Sequence, residues 1–178
     1  MKGIIILTIL LSVIFVIGCS DNSDNLKPSE VNSSMKIKST AFSEGGMIPS
    51  KYTADGGNVS PPLSIEGVPA NAQSLALIVD DPDAPMGVWT HWIVFDIDPK
   101  TTNIPDGSIP GKQGMNDFRK NNYGGPSPPS GTHRYRFKLY ALDSKLGLNE
   151  GARLPDVVRA MKGHVIAESV LTGNYKRK

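Results

Sequence analysis

Cysteine is almost missing from this chain: Cys19 is the only one. A single cysteine cannot close an internal disulfide, which excludes a small fold stapled by cross-links. A dominant charge of one sign is missing too. The formal net charge of +2 at pH 7 argues against nucleic acid as a partner, and the basic end Lys176-Arg177-Lys178 reads as a solvated terminus. Catalytic signatures are absent as well. There is no Gly-x-Ser-x-Gly elbow, no His-x-x-Glu-His or related metal motif, and no cysteine outside the amino-terminal segment. No metal and no cofactor is therefore expected, and no catalytic residue is assigned.

Glycine and proline are plentiful. With 18 Gly and 14 Pro they make about 18% of the 178 residues, against a usual share of roughly 12%. Hydrophobic residues make up 39%, enough for a core, and the length suits one domain. Such punctuation favours short strands joined by many turns over long helices.

The amino terminus carries an address. Lys2 is followed by Ile4 to Ile17, fourteen residues interrupted only by Thr8 and Ser12. This is shorter than the roughly 20 residues of a membrane span, and it suits the apolar region of a signal peptide. It ends in Val16-Ile17-Gly18-Cys19, which resembles a bacterial lipobox, with Val16 where leucine is commoner. The expectation is a signal peptide over residues 1–18, lipidation of Cys19, and residence at the cell envelope outside the cytoplasm. An uncleaved anchor with an incidental cysteine is the alternative. Residues 19–34 then form the lipidated cysteine and a disordered tether, because they carry almost no apolar side chains. The folded domain is expected over 35–178.

Within that domain Met35 to Phe42 is read as an opening strand, and 43–73 as turns. Leu75 to Val79 is a continuous apolar run, as in a strand covered on both faces. It is closed by Asp80-Asp81-Pro82-Asp83-Ala84-Pro85. Thr90 to Ile97 is the next strand, and alternation puts His91, Ile93, Phe95 and Ile97 on one face with Trp92 and Val94 on the other. Residues 98–131 read as a long loop. Thr132 to Leu142 alternates most clearly, with His133, Tyr135, Phe137, Leu139 and Ala141 opposite Arg134, Arg136 and Lys138. Leu154 to Met161 is a short helix with Pro155 near its start and Gly163 after its end. Val165 to Tyr175 is read as a strand, with a helix as the alternative.

If strands 75–79 and 90–97 are antiparallel neighbours, Asp81, Asp83 and His91 meet at one end of the sheet. His133 heads its own inward stripe, at the rim of the core. The preceding loop, Gly124 to Gly131, mixes stiff prolines with permissive glycines whose N–H groups can face a ligand. Each residue has a plainer reading. Asp81 and Asp83 suit a turn, His91 and His133 suit structural hydrogen bonds, and Tyr135 suits the core.

Taken in order, Asp81-Pro82-Asp83-Ala84-Pro85, His91-Trp92, Gly125-Pro126 and His133-Arg134-Tyr135 resemble the phosphatidylethanolamine-binding protein family, also called the Raf kinase inhibitor protein family. Ser60-Pro61-Pro62-Leu63, Ser74-Leu75-Ala76-Leu77, Asn116-Asp117-Phe118 and Tyr140-Ala141-Leu142-Asp143 fit its bacterial branch. Ile65 and Ser127 depart from that branch, which often has tryptophan and cysteine there. The resemblance covers about residues 35 to 177. It implies a mainly β fold, an antiparallel β-sandwich with a short helix near the carboxyl terminus. It implies an anion pocket lined by Asp81, Asp83, His91, Gly125, Pro126, His133 and Tyr135. The ligand it implies is a small anion such as phosphate, a carboxylate or a phospholipid head group, and in some members a partner kinase or protease is inhibited. Two ionised aspartates repel a phosphate, so one is expected to orient a histidine and favour its charged form, while the other bonds loop N–H groups. The competing readings are an envelope hydrolase, using His91 or His133 as base or binding a metal, and an interaction protein working through the 98–131 loops.

Overall fold

The computed structural model describes residues 34–177. The expected signal peptide, the expected lipidation at Cys19 and the expected tether fall on residues outside those described, apart from Ser34. Short strands dominate, as the glycine and proline content implies. In chain order they are β1 (Lys36–Lys38), a 3-10 turn (Ser50–Tyr52), β2 (Leu63–Glu66), β3 (Ser74–Asp81), β4 (Trp89–Ile97), β5 (Asn103–Ile104), β6 (Lys112–Gln113), β7 (Thr132–Leu142), helix α1 (Leu154–Met161) and β8 (Val165–Lys176).

The strands form two antiparallel sheets, one ordered β1-β2-β5 and one ordered β6-β4-β3-β7-β8. Ile37, Leu63, Ile65 and Ile104 of the small sheet pack on Leu75, Leu77, Val79, Phe137 and Leu139 of the large one. That inter-sheet core makes the molecule a sandwich. The other face of the large sheet presents Ala76, Ile78, Phe95 and Leu142 to Val157 and Met161 of α1. Every residue of β3 is therefore buried, which explains its unbroken apolar run. Helix α1 occupies the expected residues. Pro155 sits in its first turn, and Gly163, at φ +83°, follows its end.

Three expectations need correction. The opening strand spans only Lys36–Lys38, because the Ser39 hydroxyl accepts a bond from the Ala41 N–H and turns the chain away. The stretches read as turns and loop contain β2, β5 and β6, which are too short to display an alternating pattern. The third correction concerns β4. Val79 pairs with Trp92 while Asp80 pairs with Thr90, so His91 is an extra residue in the ladder; a second register shift near Asp96, at φ +54°, lies between the Leu75–Ile97 and Leu77–Val94 pairs. The two bulges place Trp92 and Val94 in the inter-sheet core and turn Ile93 and Phe95 toward α1, while Ile97 stays in the inter-sheet core. For β8 the helical alternative is ruled out: it pairs with β7 from Thr132↔Lys176 to Leu142↔Val165.

Candidate functional site

Antiparallel pairing of β3 with both β4 and β7 brings the end of β3 and the starts of β4 and β7 to one edge of the sandwich. Asp81, His91, His133 and Tyr135 meet there, all buried. Asp81 Oδ2 lies 2.8 Å from His133 Nδ1, and its Oδ1 accepts the Asp83 N–H at 2.8 Å. One carboxylate thus orients a histidine and closes the turn after β3. The His91 ring stands perpendicular to the Tyr135 ring at a centroid distance of 5.2 Å. The bulge makes this contact, because it turns His91 inward together with its neighbour Trp92.

His91 Nδ1 lies 2.6 Å from the Gly124 carbonyl oxygen, and the His91 carbonyl accepts the Gly124 N–H at 3.0 Å. A carbonyl can only accept, so Nδ1 carries the proton and Nε2 holds the lone pair of the neutral ring. No aspartate orients the His91 ring, and its charged form is not favoured. Burial lowers its pKa below 6.5, against smaller opposing effects of the Gly124 carbonyl and Asp81.

Tyr135 is fully buried, and its Oη has no hydrogen-bond partner. Burial is the largest cause of its raised pKa, and Asp81 adds to it while the Ser127 N–H opposes; neither closes a hydrogen bond with the hydroxyl. The phenol therefore stays protonated, a donor without an acceptor. Buried polar atoms in native proteins are nearly always satisfied, so an orphaned donor on a ring packed against His91 marks where a ligand or water oxygen fits.

Gly125 and Pro126 are close by but in another role. The Gly125 N–H donates to Asn58 Oδ1 at 2.7 Å, and the Pro126 carbonyl accepts from the Ala54 N–H at 3.0 Å. A Cβ on Gly125 would meet the Thr53 carbonyl carbon at 2.7 Å, so only glycine allows this approach. The expectation that the Gly125 N–H faces an anion is corrected: the N–H is already bonded to Asn58, and the pair fixes the loop. Of the two aspartates, Asp81 is the one that orients a histidine; the Asp83 carboxylate takes the Arg134 N–H, Nε and Nη2 at 2.9, 2.9 and 2.6 Å. Arg134 holds the Asp83 pKa well below the usual carboxylate range.

Sequence reasoning assigned no role to Phe118 and Asn116. The Phe118 ring meets His91 edge-on at 5.2 Å and Trp89 at 5.5 Å. Buried Asn116 donates to the carbonyls of His91 and Asn122 and accepts the Lys120 N–H. The signal available was the motif Asn116-Asp117-Phe118 itself. Among the described residues no group of three or more His, Cys, Asp and Glu side chains could hold a metal.

Comparison with known proteins follows the same lines. The family described as phosphatidylethanolamine-binding protein matches residues 38–176. The UPF0098 protein of Methanothermobacter thermautotrophicus is 55% identical over 153 residues, covering 80% of this chain and 99% of its own. A solved homologue of the phosphatidylethanolamine-binding proteins from Chlamydia trachomatis superposes with a TM-score of 0.80 at 42% identity, over 83% of this chain and all of that one. YbcL of E. coli, described as a member of the mammalian family, superposes with a TM-score of 0.76 at 30% identity, over 82% of this chain and all of that one. The likeness spans archaea and bacteria and does not mark the bacterial branch alone. The whole Chlamydia chain corresponds to part of this one, so that protein forms the fold without counterparts of the remaining residues.

Proposed function

The chain belongs to the phosphatidylethanolamine-binding protein family, and on that premise we propose that it is a non-catalytic binding protein, tethered to the cell envelope through lipidated Cys19, that takes a small anion between His91, His133 and Tyr135. The ligand class is a phosphate, a carboxylate or a phosphorylated head group. The observation that carries this reading is the orphaned hydroxyl of Tyr135, whose ring packs edge-on against His91. A neutral phenol donates to an anion without adding charge, and the anion satisfies a buried group that has no other partner. Asp81 supports the site from behind: its oxygens are occupied by His133 and the Asp83 N–H, which limits its repulsion of the anion. Modulation of a partner protein such as a kinase or protease is the finer part of the same reading, and pull-down with variants of the 98–131 segment tests it.

Neutral His91 presents a lone pair that repels an anion, and the protonated ring presents a donor instead. Affinity for phosphate should therefore rise as pH falls through the His91 pKa, which lies below 6.5, and level off above it. Amide NMR titration with inorganic phosphate and with phosphoethanolamine, from about pH 5 to 8, should show shifts at residues 81–91 and 124–135 with dissociation constants on the order of 1 mM. No shift there at any pH sinks the anion reading. For the tether, Cys19→Ala should end the uptake of a labelled fatty acid and release the protein from membranes; a variant that stays labelled in the pellet overturns the lipid anchor.

A further inference from the structure

We propose that this site is built for an oxyanion that brings its own hydrogen, hydrogenphosphate being the simplest, and that the lone pair on His91 Nε2 tells such a ligand from a fully ionised oxyanion of the same shape. The inference rests on the anion-site reading and narrows it from anions at large to those that carry an acidic O–H.

The backbone fixes what His91 can offer. Its Nδ1 lies 2.6 Å from the Gly124 carbonyl oxygen, which only accepts, so the proton stays on Nδ1. The other tautomer would set two acceptors face to face. The carbonyl cannot easily turn away, because the Gly124 N–H is itself held by the His91 carbonyl at 3.0 Å. His91 is only 4% exposed, yet Nε2 has no hydrogen-bond partner and is not sealed from solvent. It is an acceptor within reach of a ligand. Tyr135, packed edge-on against the same ring, offers the opposite: a buried O–H with nothing to bond. A donor and an acceptor thus stand unpaired in one place. An ionised oxygen satisfies the first, and only an O–H satisfies the second.

Charge points the same way. The charged groups acting on His91 are Asp81 and Asp80 of β3 and Asp117 of the turn after β6, and all three are acids. The cations along β7 are taken: Arg134 by Asp83, and Arg136 and Lys138 by Asp80. An oxyanion with only bare oxygens would meet the lone pair of His91 and the carboxylate of Asp81, and both repel it. A hydrogen on one oxygen turns the contact with His91 into a bond and leaves the other oxygens free for Tyr135. Specificity of this kind depends as much on the repulsive contact as on the attractive one.

Phosphate and sulfate are the probes. They share a tetrahedral shape, and at about pH 8 both are largely dianions, but only phosphate keeps an O–H. Calorimetric titration of the purified protein at that pH should show phosphate bound at least about tenfold more tightly than sulfate. The preference should narrow as pH falls through the His91 pKa, because Nε2 then changes from acceptor to donor. Phosphoethanolamine, whose last P–O–H ionises near about pH 6, should lose affinity relative to inorganic phosphate between about pH 5.5 and 8; this arm separates free phosphate from a phosphorylated head group. Long-range proton–nitrogen NMR spectra should show His91 as the Nδ1–H tautomer, with its Nε2 resonance moving toward that of a hydrogen-bonded nitrogen on adding phosphate and not on adding sulfate. His91→Phe, checked for folding by circular dichroism, should bring phosphate down to the level of sulfate; where it does not fold, the wild-type comparison decides. Sulfate bound as tightly as phosphate at about pH 8 overturns the proposal and leaves the anion reading standing. An Nε2–H tautomer, or a folded His91→Phe that keeps the preference, overturns it as well. Neither ion bound at any pH removes both.

Discussion

Asp80 and Asp81 are adjacent in sequence, both are buried, and they face opposite sides of β3. Asp80, on the outer face, bonds Arg136 Nε at 2.7 Å, Arg136 Nη2 at 3.1 Å and Lys138 Nζ at 2.6 Å. Asp81, on the inner face, bonds a histidine and one backbone N–H. The first carboxylate is saturated by permanent cations and makes a fixed brace across the sheet. The second has a partner whose charge depends on protonation, and an unsatisfied phenol beside it. One strand thus carries a structural acid and a functional acid side by side, and their partners on β7 decide which is which.

The largest effect should come from the brace. Asp80→Asn leaves Arg136 and Lys138 without their counter-charge. Because both cations are partly exposed, the loss should be about 2–3 kcal/mol, at or below the low end for a broken buried pair. Urea unfolding measures it, and phosphate binding by the folded variant should be unchanged. If binding is lost instead, the two acids are not separable.

Asp81→Asn should invert the pattern. An amide still accepts the Asp83 N–H, so stability should fall by only about 1–2 kcal/mol. Phosphate affinity should fall about tenfold, because His133 loses the carboxylate that orients its ring. An affinity equal to wild type would reduce Asp81 to a second brace.

Tyr135→Phe should have the smallest effect on folding, and of the opposite sign. Removing an unsatisfied buried hydroxyl should stabilise the free protein by about 1 kcal/mol while weakening phosphate binding. A variant that loses stability would show that the hydroxyl is satisfied in solution, and the strongest support for the site would go.

The contrast between the two acids was half legible in the sequence. The alternation of β7 put Arg136 and Lys138 on one face and His133 and Tyr135 on the other, as the structure has them. The unbroken apolar run of β3 and the proline and glycine around α1 were equally readable. Of the small sheet only the opening strand was readable, and at too great a length: β1, β2 and β5 have three, four and two residues, too few for a period of two to appear. The sandwich was expected from family resemblance, not from periodicity. The bulges in β4 escaped because alternation assumes an even ladder; the only local hint is that aspartate tolerates the left-handed conformation Asp96 adopts. Within the site, spacing brought Asp81, His91 and His133 to one end correctly. It missed that Arg134 takes Asp83 and Asn58 takes the Gly125 N–H, because both partnerships bridge more than 50 residues.

The bulge at His91 has a bearing on how such a site is gained and lost. A ladder needs one residue opposite each partner, and Val79 and Asp80 are already served by Trp92 and Thr90. His91 is surplus to the pairing. Excising that single codon would let Thr90 and Trp92 become neighbours on a regular strand, each still facing its present side, at the expense of the loop bonds the His91 carbonyl accepts. The sheet would heal over the gap and the recognition residue would be gone. This half of the site is an insertion that the architecture accommodates without requiring, so a descendant of the fold can erase it in one step and keep its shape.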